Sequence, residues 1–165
     1  MPSMIIRMLG TLMFLASFSS YAQYYYADLL APPRQIIVKQ DGISAGGKTV
    51  QARVCKSDSD YICFSTEALK FAVPRHIGDT RSWDFEDAKH TIKRHEKFSI
   101  LGRPINVLFI DQVRNNEVTG FVYSEERGLL GISTKGKVGG FYLLENDCGF
   151  GAKMSCGKSA QNPKN

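Results

Sequence analysis

The chain has 165 residues, of which 43% are hydrophobic and 22% are charged, and its formal net charge is +5 at pH 7. This length predicts one domain that buries a hydrophobic core and does not depend on its cysteines alone for stability. The charge permits anionic partners, but it is too small to indicate nucleic-acid binding. We therefore expect no specific nucleic-acid partner. The composition does not indicate which ligand the protein binds or whether it catalyses a reaction.

The first 22 residues have the features of a cleaved export signal. Arg7 supplies positive charge, residues 8–18 form an apolar run, and Ser20-Tyr21-Ala22 matches the small-x-small pattern that precedes cleavage. The run is shorter than the roughly 18 residues of a membrane-spanning helix, so no membrane span is predicted. We expect a periplasmic or secreted protein, with a signal peptide over 1–22, a single domain over 23–156 and a disordered polar tail over 157–165.

Short runs of alternating or β-branched residues predict the first strands. If the turn between the predicted strands at residues 49–55 and 61–65 centres on Ser59, Val54 lies opposite Phe64, and Cys55 lies opposite Cys63. The predicted strands cover residues 35–39, 49–55, 61–65 and 69–73, although residues 66–69 could instead start a helical turn.

The four cysteines all follow the leader. An even number in an oxidising compartment predicts two disulfides, with three possible connectivities. We expect Cys55 to pair with Cys63 on strand parity, and Cys148 to pair with Cys156 across a loop that contains Gly149. The crossed pairings, which would tie the first hairpin to the C-terminal end, stay open.

Residues 84–97 have the most helix-like pattern in the chain. Asp84 suits an N-cap, and Phe85, Ala88 and Ile92 recur at helical spacing. Acidic residues come early in the segment and basic residues late, which matches the helix dipole. The pattern predicts one short helix here.

Two runs, at residues 98–101 and 105–111, lead into residues 117–144, the stretch around which the rest of the chain is organised. Its alternating runs are separated by glycine-containing turns, and Gly128 ends one turn where a positive φ is expected. This predicts an antiparallel meander that must recruit the other apolar runs to bury one face. The predicted core residues are Ile37, Val50, Val54, Ile62, Phe64, Phe71, Ile105, Leu108, Ile110, Val122, Leu130, Ile132 and Leu143.

No familiar catalytic or metal-binding pattern occurs in the sequence. His90 and His95 are five residues apart, whereas metal-binding helices favour a separation of four, and His76 is distant in sequence. We interpret these histidines as exposed polar residues, and we predict no metal and no cofactor. The chain also lacks a Gly-x-Ser-x-Gly elbow and a phosphate-binding loop, so no catalytic residue is assigned.

Basic residues crowd the segment that follows Asp87. On the predicted helix Lys89, Lys93 and Lys97 form one stripe, which with Arg94 is a possible anion-binding surface. The alternative is a solvated face balanced by neighbouring acids.

These patterns predict an α+β, β-rich domain: a small antiparallel meander sheet of six to eight strands, curled or sandwich-like, with one short helix and two local disulfides. The expected function is that of an exported, non-enzymatic binding protein of the inhibitor, immunity or envelope-accessory type. Its partner would be another protein or an anionic envelope component. The alternative is a small envelope-directed hydrolase that uses His90 or His95, and a histidine lining a concave pocket beside a carboxylate would favour that alternative.

Overall fold

The computed structural model describes residues 22–31, 34–39, 41–100, 103–134, 140–144 and 148–153, and these residues form two antiparallel sheets. The large sheet has ten strands in the order β4-β3-β2-β1-β13-β12-β11-β10-β9-β8, and the small sheet has the order β5-β6-β7. The strands are β1 (Tyr24–Asp28), β2 (Gln35–Val38), β3 (Gly42–Ala45), β4 (Lys48–Gln51), β5 (Arg53–Val54), β6 (Tyr61–Ser65), β7 (Lys70–Pro74), β8 (Ser82–Phe85), β9 (Ala88–Ile100), β10 (Arg103–Arg114), β11 (Glu117–Ser124), β12 (Gly128–Thr134) and β13 (Gly140–Leu143).

The predicted antiparallel, β-rich class is confirmed, and the meander at residues 117–144 is present as β11, β12 and β13. Gly128 has a φ of 77°, as its place at the end of a turn predicts. The predicted six to eight strands are too few. The predicted Cys148–Cys156 pairing depends on Cys156, which lies outside the described ranges, as do the leader through residue 21 and the tail from residue 157, so these three stay predictions.

The predicted helix at residues 84–97 is wrong, and no helix occurs in the described part of the chain. β8 and β9 form a hairpin in this segment, turning at Glu86, whose φ is 56°. Ala88, His90 and Ile92 are all buried, so the burial has a period of two. The separation of four between Ala88 and Ile92 fits a strand as well as a helix. The burial of His90 between them is what distinguishes the strand from the helix.

The chain passes from the large sheet to the small sheet between β4 and β5. The predicted single strand at residues 49–55 is divided at Ala52, whose amide donates to the carbonyl of Asp41 (3.2 Å). The predicted pairing of Val54 with Phe64 is confirmed. The Cys55–Cys63 disulfide is also confirmed, with Cα atoms 5.1 Å apart.

The core lies between the two sheets. Phe71 of the small sheet makes ring contacts with Phe121 and Tyr123 of β11, with centroids 5.2 and 5.9 Å apart. Of the predicted core, Val50 is wrong, because it lies on the edge strand β4 and is 51% exposed. The partly buried members are Ile37, Val54, Val122, Leu130 and Leu143, and the buried ones are Ile62, Phe64, Phe71, Ile105, Leu108, Ile110 and Ile132.

An ionic clamp joins the β8–β9 turn to the small sheet. Glu86 forms ion pairs with Arg53 and Lys70, while Asp87 binds Lys70 and the Arg114 guanidinium. Hydrogen bonds from Lys70 and Arg114 lower the pKa of Asp87 to about 2. We refer to these five residues as the ionic clamp.

Residues 148–153 close one end of the interface between the sheets. The Leu129 amide donates to the Phe150 carbonyl (2.9 Å), and the Tyr26 hydroxyl donates to the Leu129 carbonyl (3.0 Å) while accepting from the Phe150 amide (3.1 Å). The Phe150 ring then lies edge-on to Phe64, with centroids 5.1 Å apart. The described residues contain no helix long and apolar enough to cross a membrane.

Candidate functional site

Two clefts open on either side of the C-terminal segment 148–153, and Lys153 contributes to both. The first, which we call the cationic cleft, has a volume of about 580 Å³. Its apolar floor contains Tyr24, Val54, Ile62 and Phe150, and its polar lining includes Lys39, Arg75, His76 and Lys153. No aspartate or glutamate occurs among the described residues that line it.

Arg75 is held in place by the loop that joins β5 to β6. Its Nε donates to the Ser59 carbonyl (2.6 Å), and its Nη2 donates to the Lys56 carbonyl (3.0 Å). A guanidinium has five N–H donors, so these two bonds orient the group and leave donors for a ligand. Neither carbonyl bears a formal charge, and the full positive charge of Arg75 is retained.

Lys39 follows β2, and its own amide donates to the Gly42 carbonyl (2.8 Å), which fixes its backbone beside the cleft. Among the described residues neither Lys39 nor Arg75 forms an ion pair. Lys153 differs, because its Nζ lies 2.9 Å from a carboxylate oxygen of Glu125, which lines the second cleft. Within the described residues, two cations without an ion pair and one paired cation therefore border the cationic cleft.

The floor of the cationic cleft is electrically neutral. Tyr24 packs edge-on against Phe150, with ring centroids 6.0 Å apart. Burial raises the pKa of the Tyr24 phenol, so the ring stays uncharged at neutral pH. A neutral apolar floor under cationic groups suits a ligand that has an apolar part and an anionic part.

The second cleft, which we call the mixed cleft, has a volume of about 840 Å³ and contains side chains of both charges. His95 lines it together with Ser124, Glu125 and Glu126, so one predicted histidine does lie in a concave site that contains carboxylates. However, the Arg81 guanidinium lies 2.9 Å from His95 Nε2. An arginine nitrogen only donates, so Nε2 accepts and its lone pair is occupied.

His90 does not line either cleft. It is 0% exposed, so the interpretation of His90 as an exposed polar residue is wrong. Burial lowers the pKa of His90 to about 4, against smaller opposing effects of the Ala88 backbone and the Asp84 charge. A fully buried, neutral imidazole has no contact with a substrate in this arrangement.

The four basic residues predicted to bind anions are exposed but do not form one surface. Lys89 and Arg94 lie on the face of the large sheet that points away from the small sheet, and Arg94 covers the Phe109 ring at 4.0 Å. Lys93 is the extra residue of a β-bulge, while Lys97 lines the mixed cleft. The prediction that Lys89, Lys93 and Lys97 form one stripe on a helix is wrong, because the segment is a strand.

Sequence reasoning missed the cationic cleft because its basic residues come from three distant segments. Lys39 follows β2, Arg75 and His76 follow β7, and Lys153 is near the C-terminus. The adjacent Arg75-His76 pair after Pro74 was the one local signal.

In the described residues no group of three or more metal-ligating side chains is placed to hold a metal ion. Comparisons with protein-family models, curated proteins and solved structures found no match for this chain.

Proposed function

We propose that this protein is an exported, non-enzymatic binding protein whose cationic cleft takes an amphipathic anion from the cell envelope. One observation carries the proposal: Lys39 and Arg75 border a neutral apolar floor, and the described lining contains no carboxylate. Such a cleft favours negative charge, because among the described residues Lys39 and Arg75 form no ion pair that would neutralise them.

The size of the cleft supports a small ligand. Its volume of about 580 Å³ falls within the roughly 300–1,000 Å³ that is usual for small-molecule sites. The floor gives apolar contact from Val54, Ile62 and Phe150, and Arg75 is oriented in advance by its two backbone contacts. Orientation before binding reduces the entropy that the ligand must offset.

A hydrolase that uses His90 or His95 has less support. His90 is buried, and His95 uses its Nε2 lone pair to accept from Arg81. Ser124 is 1% exposed, and its Oγ accepts from the Arg127 amide (3.4 Å). A nucleophile needs a base within hydrogen-bond reach, and no hydrogen bond joins Ser124 to His95 among the residues described.

The experiment compares octyl phosphate with octyl glucoside and with inorganic phosphate, all below micelle-forming concentrations, by calorimetry. We expect octyl phosphate to bind most tightly, because it alone has both the apolar tail and the anionic head. Its affinity should fall as salt rises, since the cations border open solvent. Equal affinity for octyl glucoside would show that charge plays no part and would overturn the proposal.

A matched pair of variants locates the site. Lys39→Gln with Lys153→Gln removes two charges from the cationic cleft, and we expect octyl phosphate to bind about tenfold more weakly. Lys89→Gln with Lys93→Gln removes the same charge from exposed positions of β9. Equal weakening by both pairs would indicate general electrostatic attraction and would reject the cleft as the site.

A further inference from the structure

The mouth of the cationic cleft includes the predicted cleavage point of the leader. Ala22 and Tyr24 both line the cleft, so the backbone nitrogen of Gln23 lies between two lining residues. β1 begins at Tyr24, whose partner in β2 is Val38, and both Ala22 and Gln23 are exposed. The bond between Ala22 and Gln23 therefore lies outside the sheet, and its cleavage leaves every strand pairing among the described residues intact.

We propose that removal of the leader after Ala22 completes the anion site, because it leaves the α-ammonium group of Gln23 as an additional cation of the cationic cleft. The inference rests on the proposed function and on the predicted cleavage point. Before cleavage this nitrogen is an uncharged amide, whereas afterwards it carries a positive charge at a place where the described lining has no carboxylate to neutralise it.

Basic side chains and one phenol share the cationic cleft with this position. Lys39, Arg75, His76 and Lys153 line the same cleft, and Tyr24 stays neutral because burial raises its pKa. An α-amino group ordinarily has a pKa of about 7.7–8.0, whereas lysine and arginine side chains ordinarily titrate above about 10. A contribution from the α-ammonium group therefore has its own signature, a loss of affinity as the pH passes through about 8.

Glutamine at an N-terminus offers a way to remove this charge without shortening the chain. The α-amine attacks the side-chain Cδ, the N–Cδ bond forms, the Cδ–Nε2 bond breaks, and ammonia leaves. The resulting lactam nitrogen is uncharged. The same change alters the side-chain oxygen that accepts from the Tyr25 hydroxyl (2.9 Å), so Gln23→Asn, which keeps a free amine, serves as the control for the side chain.

The experiment measures octyl phosphate binding to the chain that begins at Gln23, to its cyclised form and to Gln23→Asn. At pH 7 and low salt we expect the cyclised form to bind about fivefold more weakly than the free amine, with Gln23→Asn resembling the free amine. The difference should shrink at high salt and disappear above about pH 9, since the free amine then loses its proton.

The outcomes separate this inference from the proposed function. If free and cyclised forms bind equally while Lys39→Gln with Lys153→Gln still weakens binding, the inference is wrong and the proposed function stands. If no form binds octyl phosphate, the proposed function itself fails. An exported protein whose intact mass places its N-terminus elsewhere than Gln23 would also overturn the inference.

Discussion

The indole ring of Trp83 and the imidazole ring of His90 are stacked, with centroids 5.6 Å apart and planes 5° from parallel. The two residues are cross-strand partners in β8 and β9. Trp83 Nε1 donates to the Ala72 carbonyl of the small sheet (3.1 Å), and Gln112 Nε2 lies 3.4 Å from His90 Nε2. This stack therefore joins the β8 edge of the large sheet to the small sheet, and burial disfavours a positive charge on its imidazole.

The first prediction concerns acid stability. The pKa of His90 is about 4 in the folded protein, whereas an unfolded histidine titrates near 6.5. Because the folded pKa is the lower one, the stabilisation is complete above about pH 6.5 and is lost as the pH falls towards 4. The loss by pH 4 is on the order of 3 kcal/mol. Denaturant unfolding of the wild type and of His90→Phe at pH 7 and pH 4.5 should show a smaller loss in the variant.

The control for that measurement is His76→Gln, because His76 is exposed and takes no part in the stack. This variant should keep the pH dependence of the wild type. If His90→Phe loses as much stability between pH 7 and pH 4.5 as the wild type does, burial of His90 is not the cause of the acid sensitivity.

The second prediction concerns the attachment of the C-terminal segment. A Cβ atom at Gly149 would overlap the carbonyl oxygen of Leu129, so Gly149→Ala forces the segment away from β12. We expect a loss of about 3 kcal/mol in the free energy of unfolding. Gly46→Ala is the comparison, because Gly46 has a φ of 56° but open space around its Cβ position, and it should cost only about 1 kcal/mol. Equal losses would show that the close approach at Gly149 does not matter.

The third prediction concerns the ionic clamp. Glu86→Gln with Asp87→Asn removes both carboxylates that tie the β8–β9 turn to the small sheet, and the melting temperature at pH 7 should fall. Glu96→Gln, which breaks the Arg94–Glu96 pair on β9, should change it little. The pKa of Asp87 is lowered to about 2, so its contribution is present above about pH 4 and is lost as the pH falls through 2. Melting curves should therefore converge towards pH 2, and a constant difference would contradict the assignment.

The fourth prediction concerns the Cys55–Cys63 disulfide, which joins the end of β5 to β6. Replacing both cysteines with alanine should cost roughly 2.5 kcal/mol, because the bond restricts a short loop in the unfolded chain. Denaturant unfolding measures this cost, and non-reducing peptide mapping checks the connectivity, including the predicted Cys148–Cys156 pairing. A peptide that links Cys55 or Cys63 to either C-terminal cysteine would contradict both assignments.

Features that depend on neighbours along the chain could be predicted from the amino-acid sequence. Alternation placed Val54 opposite Phe64, and the same parity placed Cys55 beside Cys63, because strand geometry repeats every two residues. The glycine at position 128 marked a turn with positive φ for an equally local reason.

The choice between helix and strand at residues 84–97 depends on tertiary contacts. The spacing of Ala88 and Ile92 fits both a helix and a strand. His90, which lies between them in the sequence, is buried against Trp83, and burial of all three residues requires the two-residue period of a strand. The cationic cleft also could not be predicted from local sequence patterns. Lys39, Arg75 and Lys153 are separated by long stretches of chain, and only the packing of the small sheet and the C-terminal segment against the large sheet brings their charges to one apolar floor.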